Sequence, residues 1–156
     1  MPATPFTALA CPLDGAPLQR QGGSLRCPDG HCFDLAAQGY VNLLPVQNKR
    51  SRDPGDSKEM VAARRRFLEA GHYKPIADAV AQAVLADAVP GRTLTCLDAG
   101  CGEGYYLRQL SAAAVEARTL ALAGLDISKW AVQAAAKRDL QDARSRAGAD
   151  PSTAWI

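Results

Sequence analysis

The segment Leu97-Asp98-Ala99-Gly100-Cys101-Gly102-Glu103-Gly104 constrains the fold of this chain more than any other stretch. Thr93 to Leu97 is a short apolar run that reads as a strand; it ends in an aspartate, and glycines then follow at every second position. Glycine in such a loop answers two needs, backbone angles closed to other residues and close approach of a ligand to the main chain. A helix is expected from Gly104 to about Val115, and the N–H groups of its first turn face outward for a polar ligand. Thr119 to Leu125 reads as a second apolar strand, after which Ser128 caps a helix running to about Arg138. Strands alternating with helices imply a parallel sheet with right-handed crossovers, hence an α/β fold. Only two strands are visible in the sequence, and a parallel sheet needs more.

The spacing of the glycines narrows the ligand. Dinucleotide sites favour G-x-G-x-x-G, where the third glycine lets the helix pack closely and the dipole meets a pyrophosphate. Here the pattern is G-x-G-x-G, with Tyr105 where that third glycine would fall. An acidic residue directly before the glycines repels a pyrophosphate and suits a cationic amino-acid group. S-adenosylmethionine carries a free ammonium and a sulfonium, so Asp98 favours it over a dinucleotide. The second strand ends in Gly124-Leu125-Asp126, and Asp126 lies 22 residues after Gly104. A carboxylate at that strand tip is placed to accept hydrogen bonds from ribose hydroxyls. The competing readings are a dinucleotide site and a plain glycine-rich turn, with Asp126 as a favourable charge at a helix N-terminus.

Cysteines divide the chain unevenly. Of five, at positions 11, 27, 32, 96 and 101, three lie in the first 32 residues near one of the two histidines. An odd number leaves a thiol over in any disulfide scheme, so metal binding or burial in a reducing compartment explains them better. Leu18-Gln19-Arg20, a Gly22-Gly23 turn and Leu25-Arg26 read as a small hairpin. A hairpin this small cannot stand alone and calls for a metal or a neighbour.

From Pro45 to Asp56 the sequence is polar, with Pro and Gly, as in a linker. A helix follows, with capping-box spacing at Asp56 and Glu59 and Met60, Ala63, Phe67 and Leu68 on one face before Gly71 stops it. Pro75 suits the first turn of a second helix, whose apolar stripe is Ile76, Ala79, Val80, Ala83 and Val84. Lys49, Arg50 and Arg52, with Arg64, Arg65 and Arg66, form a basic cluster suited to RNA phosphates, or else a solvated face paired with Asp53, Glu59 and Glu69. Tyr40 or Phe33 could stack on a base, or serve as core under the hairpin. A net charge of +2 means that any nucleic-acid contact depends on such local clustering. With 47% hydrophobic residues and no run of eighteen apolar ones, the chain reads as folded and without a membrane span, and a cytoplasmic location is expected.

Three segments carry a resemblance: Gly39-Tyr40-Val41-Asn42-Leu43-Leu44-Pro45, Lys49-Arg50-Ser51-Arg52-Asp53-Pro54-Gly55-Asp56, and Leu97 to Tyr106. With them the chain, from about Cys11 to Arg138, resembles the 23S rRNA (guanine-N1)-methyltransferase A family. The resemblance implies an incomplete Rossmann-like class I methyltransferase fold preceded by a small zinc-ribbon-like module. It implies S-adenosyl-L-methionine and Zn2+ as cofactors, and a 23S rRNA hairpin as partner. Asp98, Gly100, Gly102 and Gly104 match the donor loop and Asp126 the ribose-binding acid, with Glu103 and Tyr105 as further donor contacts.

The family's metal pattern resembles C-x-x-C followed by C-x-x-x-H. Here Asp14 stands where the second cysteine would fall. The expected ligands are Cys11, Cys27 and His31 with either Asp14 or Cys32, against a metal-free remnant with buried thiols. The division expected along the chain is a zinc-ribbon-like RNA-recognition module over residues 1–44, a basic linker and two helices over 45–91, the first part of a donor-binding domain over 92–141, and a disordered, truncated-looking tail over 142–156. No residue stands out as the catalytic base, and His72 reads as a polar surface position. The leading reading is therefore a guanine-N1 rRNA methyltransferase fragment, inactive as given. The alternatives are a non-enzymatic RNA-binding remnant and a small-molecule methyltransferase, and a homodimer is an open expectation.

Overall fold

A computed structural model describes residues 6–89, 91–114, 119–145 and 153–156. Two small sheets organise it. The first is antiparallel, from β1 (Gln19–Gln21), β2 (Ser24–Arg26) and β3 (Cys32–Asp34), in that order. The hairpin forms where the Gly22-Gly23 turn was expected, since Gly22 has a φ of 61° that a side chain would resist. The third strand was not anticipated. Its register pairs Leu25 with Phe33, which brings Phe33 against a core of Cys11, Leu18, Leu25, Cys27 and Val41.

Two helices follow. In α1 (Lys58–Glu69) the cap is Ser57 rather than Asp56, with the Ser57 hydroxyl accepting from the Met60 N–H and donating to the Glu59 carboxylate. Pro75 sits in the first turn of α2 (Lys74–Ala86), as expected. The buried faces share Leu68 and the partly buried Val84 with the expected stripes and otherwise differ from them. Val61 and Leu68 of α1 and Ala77, Ala81 and Leu85 of α2 are buried, whereas Met60, Phe67, Ile76 and Val80 are exposed. On this face of α2, Ala77 and Ala81 lie one turn apart, and Ala77 packs against Tyr105.

The second sheet is parallel, in the order β4 (Leu94–Ala99), β5 (Leu120–Leu125), β6 (Thr153–Trp155), with α3 (Tyr105–Ala113) and α4 (Lys129–Ser145) between its strands in sequence. The β4–β5 pairing accords with the alternation in the sequence, whereas the β5–β6 pairing adds a strand the sequence does not show. Ser128 caps α4 as expected, its hydroxyl accepting from the Ala131 N–H. The expectation of a structureless tail from Asp142 does not hold where the residues are described. Helix α4 continues to Ser145, and Thr153 to Trp155 add a third strand; residues 146–152 of that tail lie outside the described residues. What makes a strand of so short a segment is its anchoring. Asp139 of α4 accepts from the Thr153 N–H and from the Trp155 indole N–H, each at 3.2 Å, and the Trp155 ring is 2% exposed among Leu122, Val132 and Ala135.

The two sheets are joined by main chain. Tyr40 bridges to Trp155 in parallel sense and the Val41 N–H donates to the Trp155 carbonyl. Ile156 packs on the core of the antiparallel module, and the Tyr40 hydroxyl accepts from Gln133 of α4 at 3.0 Å. Tyr40 and Phe33 are thus structural, which is the core reading of the two. Among the described residues no helix is long and apolar enough to cross a membrane.

Candidate functional site

Glycine geometry shows how the loop after β4 is built. Gly100, Gly102 and Gly104 have φ of 84°, 56° and 78°, all in the left-handed region that favours glycine. Their surroundings separate them. A side chain at Gly100 would meet open space, whereas one at Gly104 would strike the Trp155 ring, with Cζ3 at 2.9 Å. Gly124 is likewise flush with Trp155, 2.5 Å from where a Cβ would sit. Gly100 thus leaves the main chain open to close approach, and core packing accounts for Gly104.

Asp98, next to last in β4, has one carboxylate oxygen, Oδ2, buried and, among the described residues, without a hydrogen-bond partner. Burial, and then the nearby Asp126 charge, push its pKa up from the usual carboxylate range. A buried polar atom left unpaired is costly, so a donor supplied by a ligand would be favoured there. Asp126 is differently placed. Its Oδ2 accepts from the Gly102 N–H and its Oδ1 from the Ser128 N–H, both at 2.8 Å. It thereby ties the glycine loop to the start of α4, with lone pairs left over for a ligand hydroxyl.

A cleft of about 670 Å³ opens beside Asp126, lined by Gly100, Ile127 and Ile156, by Tyr40 and Asn42 at the end of the antiparallel module, and by Arg52 of the linker. Ile127 is 60% exposed at its mouth, an apolar surface suited to a flat ring. The linker is docked rather than loose. Lys129 pairs with Asp53, the Ser128 hydroxyl donates to the Asp56 carbonyl at 2.6 Å, and Gly55, at a φ of 82°, lies against the Ser128 backbone. The sequence signal for this wall was Asp53-Pro54-Gly55, a turn whose glycine permits the close approach, although it reads equally well as an ordinary loop.

Two residues expected as donor contacts have side chains engaged within the protein. The Glu103 carboxylate is buried and accepts from Arg65 and Arg108, each at 2.7 Å, and its carbonyl also accepts from Arg108. It fastens α1, the loop and α3 together, so its side chain is spent on the fold. Tyr105 packs with Leu68 and Ala77. Cys101 is buried beneath the loop, and burial, with Asp126 and Asp98 near, pushes its thiol up to about 12, which makes it packing rather than a nucleophile. Of the basic cluster, Arg65 is paired within the protein, while Lys49, Arg50, Arg52, Arg64 and Arg66 are exposed. His72 is exposed beside Phe67, as expected.

A second constellation lies in the antiparallel module. Ligand atoms of Cys11, Asp14, Cys27 and His31 all fall within 4.8 Å of one another. His31 Nδ1 is 2.8 Å from Asp14 Oδ2, 3.4 Å from Cys27 Sγ and 3.5 Å from Cys11 Sγ. The turns at Cys11–Ala16 and Cys27–His31 bring the four together, with the Cys11 N–H donating to Ala16 and the Cys27 N–H to His31. The Ala16 N–H, and then the Cys27 thiol, hold the Asp14 carboxyl well below the usual range, while burial and then Asp14 raise the Cys27 thiol. Two sulfurs, an imidazole and a carboxylate at these separations fit a tetrahedral zinc ion. Cys32, on β3, is exposed and stands outside the four, nearest Asp34.

Comparison with known proteins matches both halves of this arrangement. Residues 9–52 match a family model described as "RlmA, N-terminal", a zinc ribbon. The chain is 38% identical over 147 residues to the 23S rRNA (guanine(748)-N(1))-methyltransferase of Streptomyces fradiae, covering 94% of this chain and 49% of that protein. It is 42% identical over 164 residues to a Micromonospora griseorubida protein that carries a provisional 23S rRNA (guanine-N(1)-)-methyltransferase name, covering 94% of this chain and 52% of the relative. A Bacillus subtilis protein with a similar provisional name is 35% identical, over 85% of this chain and 46% of its own length. The chain thus spans about half the length of the relatives it matches. Along most of its own length the chain is similar to about half the length of proteins named as 23S rRNA (guanine-N1)-methyltransferases, and residues 9–52 match the zinc-ribbon model.

Proposed function

We propose that this chain carries the methyl-donor site and the ribbon module of an S-adenosylmethionine-dependent enzyme that methylates N1 of a guanine in a 23S rRNA hairpin. The observation that carries the donor part is the unpartnered Asp98 Oδ2 at the end of β4, next to the open side of Gly100. In this reading the β4–β5–β6 sheet is the first part of a Rossmann-like class I methyltransferase domain. Asp98 receives the donor's ammonium, Gly100 and Gly102 let the amino-acid end lie on the backbone, and Asp126 accepts from the ribose while Ile127 packs on the adenine. When bound, S-adenosylmethionine supplies an electrophilic methyl group. The chain's own contribution is to hold that group in line with an incoming base.

Cys11, Asp14, Cys27 and His31 would hold zinc, which would cross-link the two turns of a module too small to be stabilised by its own core. The exposed Lys49, Arg50 and Arg52 are offered to rRNA phosphates beside the cleft. No base for guanine N1 is assigned, and the chain as given is expected to bind donor with negligible turnover.

Two assays test the reading. Ultraviolet cross-linking with methyl-labelled S-adenosylmethionine should label the chain, and S-adenosylhomocysteine but not NAD should compete. Filter binding should retain a 23S rRNA hairpin with a steep salt dependence that weakens when Lys49, Arg50 and Arg52 are replaced together. Labelling competed by NAD would refute the donor assignment. Donor binding without any RNA retention would favour a small-molecule acceptor.

A further inference from the structure

We infer that Arg64 of α1 receives the carboxylate of the donor's amino-acid end, completing a zwitterion clamp with Asp98. The inference rests on the donor-site reading above and adds to it a residue that fixes which end groups the ligand must carry. An α-amino acid bears its ammonium and carboxylate on one carbon, so a site that holds the first at Asp98 leaves the second a few ångströms away, on the glycine loop. An anion there stands close to the Asp98 and Asp126 carboxylates and needs a cation to offset them.

The structure offers one at that place. Arg64 Nε lies 3.9 Å from where a Cβ on Gly102 would be, which puts this side chain beside the glycine loop. Arg64 is exposed and, among the described residues, has no hydrogen-bond or ion-pair partner. The other cations near the loop are engaged: Arg65 and Arg108 with Glu103, Lys129 with Asp53, and Arg138 with Glu69. Lys49 and Arg52 line the cleft that holds Asp126 and Ile127, whose lining does not include Gly102. The position of Arg64 is itself fixed from below. Its chain neighbour Arg65 is locked onto the buried Glu103, one residue beyond Gly102, which holds that turn of α1 over the loop. A guanidinium in this position can meet a carboxylate through two parallel hydrogen bonds.

The test compares S-adenosylmethionine with its decarboxylated analogue, which keeps the ammonium and loses only the carboxylate. Calorimetric titration of the purified chain, of Arg64→Met and of Arg66→Met as a surface control, with thermal unfolding of each, gives the answer. Arg64→Met should weaken S-adenosylmethionine by about tenfold or more, the worth of a charge-assisted pair, and leave the affinity for the analogue unchanged. Arg64→Lys should recover part of the loss, and Arg66→Met should bind as the parent does. An equal loss for both ligands, or none for either, would overturn the role of Arg64 while leaving the donor site standing. A folded parent chain that binds neither ligand would overturn the donor reading, and this inference with it.

Discussion

Gly100 and Gly104 belong to one loop and share a left-handed backbone, yet they are bound to different tasks, and substitution separates them. Gly100→Ala should cost about 1 kcal/mol of stability from backbone strain alone and should impair donor binding, because the new methyl enters the open side of the loop. Gly104→Ala adds a clash with a buried indole to the same strain and should cost more than about 2 kcal/mol, seen as a lowered urea midpoint. Equal losses in the two variants would contradict the division.

Asp98 gives a pH signature. Its folded pKa is raised above the ordinary value of 3.8, so its contribution to stability is fully present below that value and lost as pH rises through the folded pKa. Donor affinity runs the other way, since only the carboxylate attracts an ammonium. Affinity should therefore fall on acidification from a higher pH than an ordinary aspartate would give, and Asp98→Asn should flatten that profile. The aspartate and the glycines were legible in the sequence because each is a local demand of backbone or charge. The burial of Glu103 and Tyr105 was not, because it depends on where α1 and α2 settle against α3.

At the level of elements, β4, α3, β5 and α4 were readable from apolar runs and caps. The third strand was hidden because a three-residue segment has no periodicity to show, and its strand character comes from the β5 edge and the Asp139 anchor. Caps and breakers mark both α1 and α2 as helices, but the apolar pattern does not fix which face of α2 is buried. The sequence offers one stripe through Ile76 and Val80 and another through Ala77, Ala81 and Leu85. Hydrophobicity favours the first; the close helix contact selects the smaller residues of the second.

The ribbon carries a prediction at this scale. Zinc should bind at one equivalent to the chain, Cys27→Ser should abolish it, and Cys32→Ser should leave it unchanged, as read by a chromophoric chelator. Retained stoichiometry in Cys27→Ser, or loss in Cys32→Ser, would contradict the four-residue site. Chelation should lower the unfolding temperature, since metal binding is coupled to the folding of so small a module.

Across the whole molecule, the linker unites the pieces. Tyr40 and Val41 extend the parallel sheet beyond β6, Asp53 to Asp56 fasten to the start of α4, and the segment between them walls the cleft next to Asp126. The cleft is thus assembled from the ribbon's exit and the sheet's C-terminal ends together, a dependence that no single motif in the sequence expresses. The most direct test of the account is calorimetric titration of the purified chain with S-adenosylmethionine, beside Asp98→Asn. This variant is a cleaner control than Asp126→Ala, because the Asp126 carboxylate also holds the Gly102 and Ser128 N–H groups of the loop. The account predicts saturable one-site binding by the parent, lost or severely weakened in Asp98→Asn, with the variant unfolding at no lower temperature than the parent. No binding by a folded parent chain, or undiminished affinity in Asp98→Asn, would contradict it.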